Sequence, residues 1–338
     1  MLQLFQSIFA SDRGKAEAYS PDLIAQAIER AVDATDPRLR TLPGYQKKLR
    51  SAVIHAIDHV VALVDSLPPA LDLSPAAFGT DPEVTTFFAS VAHLHEVLER
   101  DPTLNQWLRT ADGASARNIV MLLLMTLEER QVLGAALESD TLRHGVAQTT
   151  ASFSEHQLVD PSGAEDDTRR LLRRRAYDHL LALALDGLAT VVAERSNLER
   201  ERSALRRKRT ALAAGRWGFD EANASPPADP RLVQQQLQDI DAQLSALGAG
   251  AGLLAANLGI VVDVLTGAER KFWQTHRPLI VDRMGVKQTQ ASALAPEIGL
   301  TVLHNAAGRS LVARVVSIRR EALPPERDLL REAERYLG

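Results

Sequence analysis

The chain has 338 residues, room for two or three folding units, with 45% hydrophobic and only 4% aromatic side chains. Scarce aromatics beside abundant Leu, Ala and Arg favour extended helices over a sandwich or barrel. A net charge of −4 gives no whole-molecule attraction to nucleic acid or anionic lipid, so any such binding has to be local, and zero cysteines exclude disulfides, thiolate metal sites and a cysteine nucleophile.

The opening "MLQLFQSIFASDRGK" has no basic region ahead of its apolar residues. No secretory signal is expected, and a cytoplasmic location is. Residues 1–117 read as an N-terminal helical domain. Ser20-Pro21-Asp22, Ser74-Pro75, Asp81-Pro82-Glu83 and Asp101-Pro102 each offer a side-chain acceptor at the N-cap with proline at the first helical position. Leu49, Val53, Ile57, Val60 and Val64 keep helical spacing, as do Phe87, Val91, Leu94 and Leu98.

From Asn118 the pattern changes. "IVMLLLMTL", "QVLGAALES" and "HGVAQTTASFS" read as three antiparallel strands over 118–161, with turns at Glu128-Glu129-Arg130 and Ser139-Asp140; the first run fits a buried helix equally well. Much later, a hairpin around Asn305 to Gly308 carries Val312, Val316 and Ile318, and "RPLIVDRMGVKQ" offers one strand more. Isolated two-stranded hairpins are marginal in water, so the strands of 118–161 and 277–338 are expected to form one sheet, followed by a C-terminal helix.

Between them, residues 162–276 read as two long helices joined by a tip at 213–230. The first opens on Ser162-x-x-Glu165, the pattern of a capping box. In the second, Val233, Leu237, Ile240, Leu244, Leu247, Ala251, Leu254, Leu258, Val261, Leu265, Ala268 and Phe272 alternate four and three apart, a heptad seam reaching about His276. Tyr177, Ala184, Val191, Leu198, Leu205 and Leu212 match it on the first helix. Folding back pairs Leu212 with Val233, Leu205 with Ile240, Leu198 with Leu247 and Val191 with Leu254, with Arg195 facing Ala251. The expectation is an antiparallel coiled-coil arm roughly 70 Å long.

Near the tip the arm is polar outside its seam, so it projects into water. Nearer the sheet, "LLALALDGLATVVA" and "LGAGAGLLAANLGIVVDVLTGA" are apolar around the circumference, with only Asp186 and Asp263 charged, so something covers this base. The N-terminal helices, a second subunit and lipid are the candidates; the two aspartates and the missing aromatic belt count against lipid. Gly248, Gly250, Gly252, Gly259 and Gly267 mark either a kink or a small-residue face for another helix. Trp217 and Phe219, at the tip, either cap the seam against Leu212 and Val233 or anchor a partner.

His55 and His59 stand one helical turn apart, the spacing of metal ligands, yet no metalloprotease glutamate accompanies them and a solvated helix face is the simpler reading. His93 and His95 point to different sides. Arg169, Arg170, Arg173, Arg174 and Arg175 form a basic patch preceded by Glu165, Asp166 and Asp167, which absorb part of its charge. Residues 165–214 carry +4 and residues 229–276 carry −2, so the two helices are complementary. No phosphate loop, dinucleotide fingerprint or nucleophile elbow is present, and no cofactor is implied.

The whole reads as an α+β chain, mostly α: an N-terminal helical domain and a small antiparallel β domain interrupted by a coiled-coil hairpin. Its expected role is that of a non-enzymatic cytoplasmic scaffold or adaptor, homo-oligomeric through the apolar base, presenting the arm to a partner protein. The alternatives are a regulatory nucleic-acid-binding protein using arginines 169–175 and a metal-dependent enzyme at His55 and His59.

Overall fold

The computed structural model describes residues 19–138, 141–213, 229–248 and 250–324. The chain order is α1 (Pro21–Ala34), α2 (Tyr45–Asp65), β1 (Leu71–Asp72), α3 (Pro82–Phe87), α4 (Val91–Arg100), α5 (Pro102–Leu108), α6 (Ala111–Ser115), β2 (Asn118–Glu138) and β3 (Thr141–Ser162). Then come α7 (Glu165–Ala213), α8 (Pro230–Ala246), α9 (Ala251–Thr266), α10 (Ala268–Lys271), β4 (Phe272–Ile280), β5 (Glu297–Asn305) and β6 (Ser310–Arg319). This is the mixed α+β, mostly helical class expected. Two compact units divide it: 59–176 with 269–324, and 19–58 with 177–268. Residues 19–117 therefore contribute to both.

The proline-marked starts hold at three of four places. Ser20 accepts from the Leu23 N–H, Asp81 from Glu83 and Asp101 from Leu104, each ahead of a proline. Ser74 instead receives the Ala77 N–H at the head of a short 3-10 turn. The run expected as one helix through Phe87 and Leu98 is two, because Ser90 takes the His93 N–H and starts α4 afresh.

In the first unit the two strand sets join in one sheet, ordered β3-β2-β6-β5-β4, with β1 added parallel to β6. Where three antiparallel strands were expected over 118–161 there are two long ones. No turn forms at 128–130, where Glu128, Glu129 and Arg130 pair with Ser152, Ala151 and Thr150. Their charges have partners on the strand: Ser154 Oγ donates to Glu128 at 2.8 Å, and Arg277 and Lys287 bind Glu129. Ser139-Asp140, the other expected turn, and the C-terminal helix lie outside the described residues. The Asn305-to-Gly308 hairpin forms, with Arg309 N donating to Asn305 Oδ1 at 2.9 Å.

The sheet also closes on itself. Beyond β4 the chain turns at 282–286 and meets β3: Ala151 N donates to Gly285 O and Lys287 N to Thr149 O, both at 2.8 Å. Gly285 has φ +76°, and a Cβ there would lie 2.8 Å from Ala151 O, so only glycine fits. Bulges in β3 help the curl, with Glu155 and Asp160 at positive φ beside the register shifts. Inside are Ile119, Met121, Leu123 and Met125 with Leu279, Ile298 and Val316; outside, Val120 and Leu122 pack with Val64, Leu67 and Leu172. Burial on both faces explains the unbroken "IVMLLLM" run.

In the second unit α1 and the turn at Asp36 meet part of the apolar base of α7 and α9. Tyr177 donates its hydroxyl to Ala27 O at 3.1 Å, Arg30 pairs with Asp178, and Asn257 donates to Asp36 at 3.1 Å. Burial is the main cause that raises the Tyr177 phenol above its ordinary range. Of the three covers weighed from the sequence, the same chain supplies part, and Leu185 and Val192 stay exposed. The unbroken helix expected from Asp229 to His276 is interrupted: α8 ends at Ala246, and Gly248 (φ +78°) and Gly250 (φ +53°) carry the chain through a bend before α9. Phe272 to His276, expected as its last turn, begin β4 instead. Arg195 faces Gly248, not Ala251, donating to its carbonyl at 2.7 Å. Further along, Arg202 reaches Asp241 at 3.4 Å and Arg209 reaches Gln234 at 3.2 Å.

Candidate functional site

In the basic start of α7 most of the arginines are bound into the fold, and Arg170 is held only by a half-exposed ion pair. Arg169 donates to the carbonyls of Val64, Leu67 and Pro68 at 2.8–3.1 Å and pairs with Glu165. It ties down carbonyls at and just beyond the C-terminus of α2, where the helix no longer supplies all the donors. Glu165 also accepts from Ala70 N, and Ser162 turns its hydroxyl to Ala164 O and Thr168, so the expected capping box does not form. Arg173 pairs with Asp65 and is only 12% exposed, while Arg175 grips Asp160 with two hydrogen bonds. Arg170 pairs with Asp167 on the open surface, where an ion pair contributes little and exchanges readily.

Arg170 and Arg174, one turn apart on α7, line a cleft of about 540 Å³. Its other walls are Trp107 at the end of α5, Asp112 and Ser115 on α6, and Pro161 to Gly163 at the end of β3. Ser115 and Ala116 also floor a second depression of about 670 Å³, walled by Arg117, Arg319, Arg320 and Glu321. Thr110 caps α6 through its hydroxyl to Gly113 N, and Arg320 donates to Gly113 O at 2.5 Å, which fixes this rim to the end of β6. Sequence reasoning missed Trp107, Arg117, Arg319 and Arg320. The Arg319-Arg320 pair closing an apolar strand was the one signal, and it acquires meaning only when Arg117 is known to stand beside it.

The histidines lie elsewhere. His59 Nε2 is 2.7 Å from Phe272 O, so the face of α2 read as solvated is partly used in packing. His55 is half-buried. Among the described residues no group of three or more His, Asp or Glu is placed to hold a metal ion. A separate cluster joins His156, stacked on Phe88 at 5.0 Å, with His93 edge-on at 5.0 Å; burial first, and the neighbouring His93 second, lower the His156 pKa. Of the seam residues, Val233 and Ile240 are buried, and Val191, Leu198, Leu205, Leu212, Leu247 and Leu254 are half-buried. Trp217 and Phe219 lie outside the described residues. No protein-family model matches the chain, and neither does any curated protein or solved structure.

Proposed function

We propose that the chain is a non-enzymatic cytoplasmic scaffold or adaptor, in which α7 and α8 form an antiparallel coiled-coil arm that carries residues 213–230 to a partner protein. One observation carries the reading. Arg195 to Gly248, Arg202 to Asp241 and Arg209 to Gln234 step seven residues down one helix for seven up the other, the constant register of two paired antiparallel helices. Val233, Leu237, Ile240 and Leu244 are buried at four-and-three spacing in α8 while the residues between them are exposed. Such an arm has no inner core of its own beyond the seam, so its use is reach.

Self-association is the second part of the proposal. Leu185 and Val192 are 44% and 55% exposed, seven apart on α7, with Ala182 and Ala189 exposed on the same face. Over part of its length α7 is also apolar enough to cross a membrane, a test that core helices pass too. Exposed Asp186 and Asp263 beside the apolar stretches favour protein over lipid as the cover.

The chain has no cysteine, so Leu205→Cys with Ile240→Cys tests the arm directly. An intramolecular disulfide on mild oxidation is the expected product; only intermolecular species, or none, would refute the pairing. A photo-crosslinking residue at Trp217 is expected to capture a protein in cells that the same residue at Leu133 does not, and equal capture removes the presenting role. Light scattering should give a multiple of the 338-residue mass that Leu185→Glu with Val192→Glu reduces to one.

A further inference from the structure

We infer that the two depressions sharing Ser115 and Ala116 form one trough that binds a single-stranded nucleic acid by its phosphates. The site is independent of the arm and stands whether or not the arm presents a partner. Three chain segments far apart in sequence converge on it: Arg117 ahead of β2, Arg319 and Arg320 at the end of β6, and Arg170 and Arg174 on the first turns of α7. Five arginines and three carboxylates (Asp112, Asp167 and Glu321) make the lining net positive in a chain whose own net charge is −4. Such a local reversal of sign focuses an anionic ligand onto one place.

The carboxylates present do not lock Arg170 or Arg319. Arg319 and Glu321 are 75% and 80% exposed and 3.7 Å apart, and the Arg170–Asp167 pair is half-exposed. Exposed pairs of this kind yield to a phosphate, which offers more acceptor oxygens to the guanidinium fork. The consumed arginines make the contrast: Arg169 and Arg173 are 14% and 12% exposed, the first held by backbone carbonyls and Glu165 and the second by Asp65. Both depressions are open to solvent, so the trough suits an extended strand passing through better than an enclosed small molecule. Trp107 on the wall offers a face on which a base can stack. The hydroxyls of Ser115 and Ser162 add phosphate or sugar contacts without sequence preference.

The test is fluorescence anisotropy of labelled (dT)20 with the full chain, beside a labelled polyglutamate peptide. Binding to (dT)20 is expected to weaken with salt, with a log–log slope of about −2 to −3 for three or four neutralised phosphates. Arg117→Glu with Arg170→Glu should raise Kd at least about 10-fold and flatten that slope, while Arg206→Glu with Arg207→Glu on α7 should leave both unchanged. Circular dichroism checks that each variant folds, and Arg117→Gln with Arg170→Gln serves if the reversals do not. With Trp217→Phe and Trp273→Phe as background, quenching by (dT)20 reports on Trp107 alone. Three results would each overturn the inference: no binding to (dT)20 at low salt, loss through Arg206 and Arg207 but not through the trough, or equal dependence of polyglutamate on Arg117 and Arg170, which would make the trough an acidic-peptide site.

Discussion

The inner and outer halves of β2 are one strand with two environments. Residues 118–125 pair with β6, and from Val120 on with β3 on the other side, and Ile119, Met121, Leu123 and Met125 are fully buried. Beyond Met125 pairing with β6 stops, β3 alone continues, and Leu133 is 79% exposed. Both halves are extended strand. What differs is the second neighbour and the second face: the end of α2 with the residues after it, and α7, cover the outside of the inner half through Val64, Leu67 and Leu172. Apolar identity alone therefore says little about what a residue in this strand contributes.

The comparison breaks first at the inner strand. Leu123→Ala should destabilise the fold by about 3 kcal/mol, against within about 0.5 kcal/mol for Leu133→Ala, read as denaturant midpoints; equal effects would mean that the ribbon carries as much core as the sheet. Next is the closure onto β3. Gly285→Ala places a side chain at φ +76° against Ala151 O, and a loss of about 2 kcal/mol is expected, with faster amide exchange at Ala151 and Lys287.

A third contrast lies in the helix that covers the inner half. Arg169→Ala removes the side-chain donor to the carbonyls of Leu67 and Pro68 and the ion pair to Glu165 and should cost about 1–2 kcal/mol, whereas Arg170→Ala, one residue on, should leave the thermal midpoint unchanged. The smallest effect concerns pH. His156 is held neutral by burial, so its folded pKa lies below the unfolded value, and the unfolded chain binds more protons once pH falls below about 6.5. Stability from this group is full above that value and falls as pH drops towards the folded pKa; His179, lowered mainly by burial, acts in the same direction. His156→Gln should flatten the slope between neutral and mildly acid pH, and an unchanged slope would take His156 out of the account.

Much of the fold was legible because its signals are local. Ser20, Asp81 and Asp101 cap helices that start at the next proline, and Asn305 to Gly308 turns a hairpin, because each bond reaches only two to four residues. Errors arose where a local signal met a distant partner. Glu128, Glu129 and Arg130 look like a turn until Ser154, Arg277 and Lys287 supply their counterparts. The heptad seam ran on through Leu247 because its period ignores the bend that Gly248 and Arg195 make together. The trough was invisible for the same reason, since Arg117, Arg170 and Arg320 share no stretch of chain.

From the residues themselves followed the class of the fold, most helix starts, the single sheet interrupted by long helices, and the apolar ladders along those helices. All of these rest on periodicity and capping, energies set within a turn or two of the backbone. Tertiary structure decided which arginines are spent on carbonyls and which face solvent, which elements meet the apolar base, and that the sheet closes at Gly285. Those outcomes depend on burial and on pairing between distant segments, and burial is a property of what surrounds a residue.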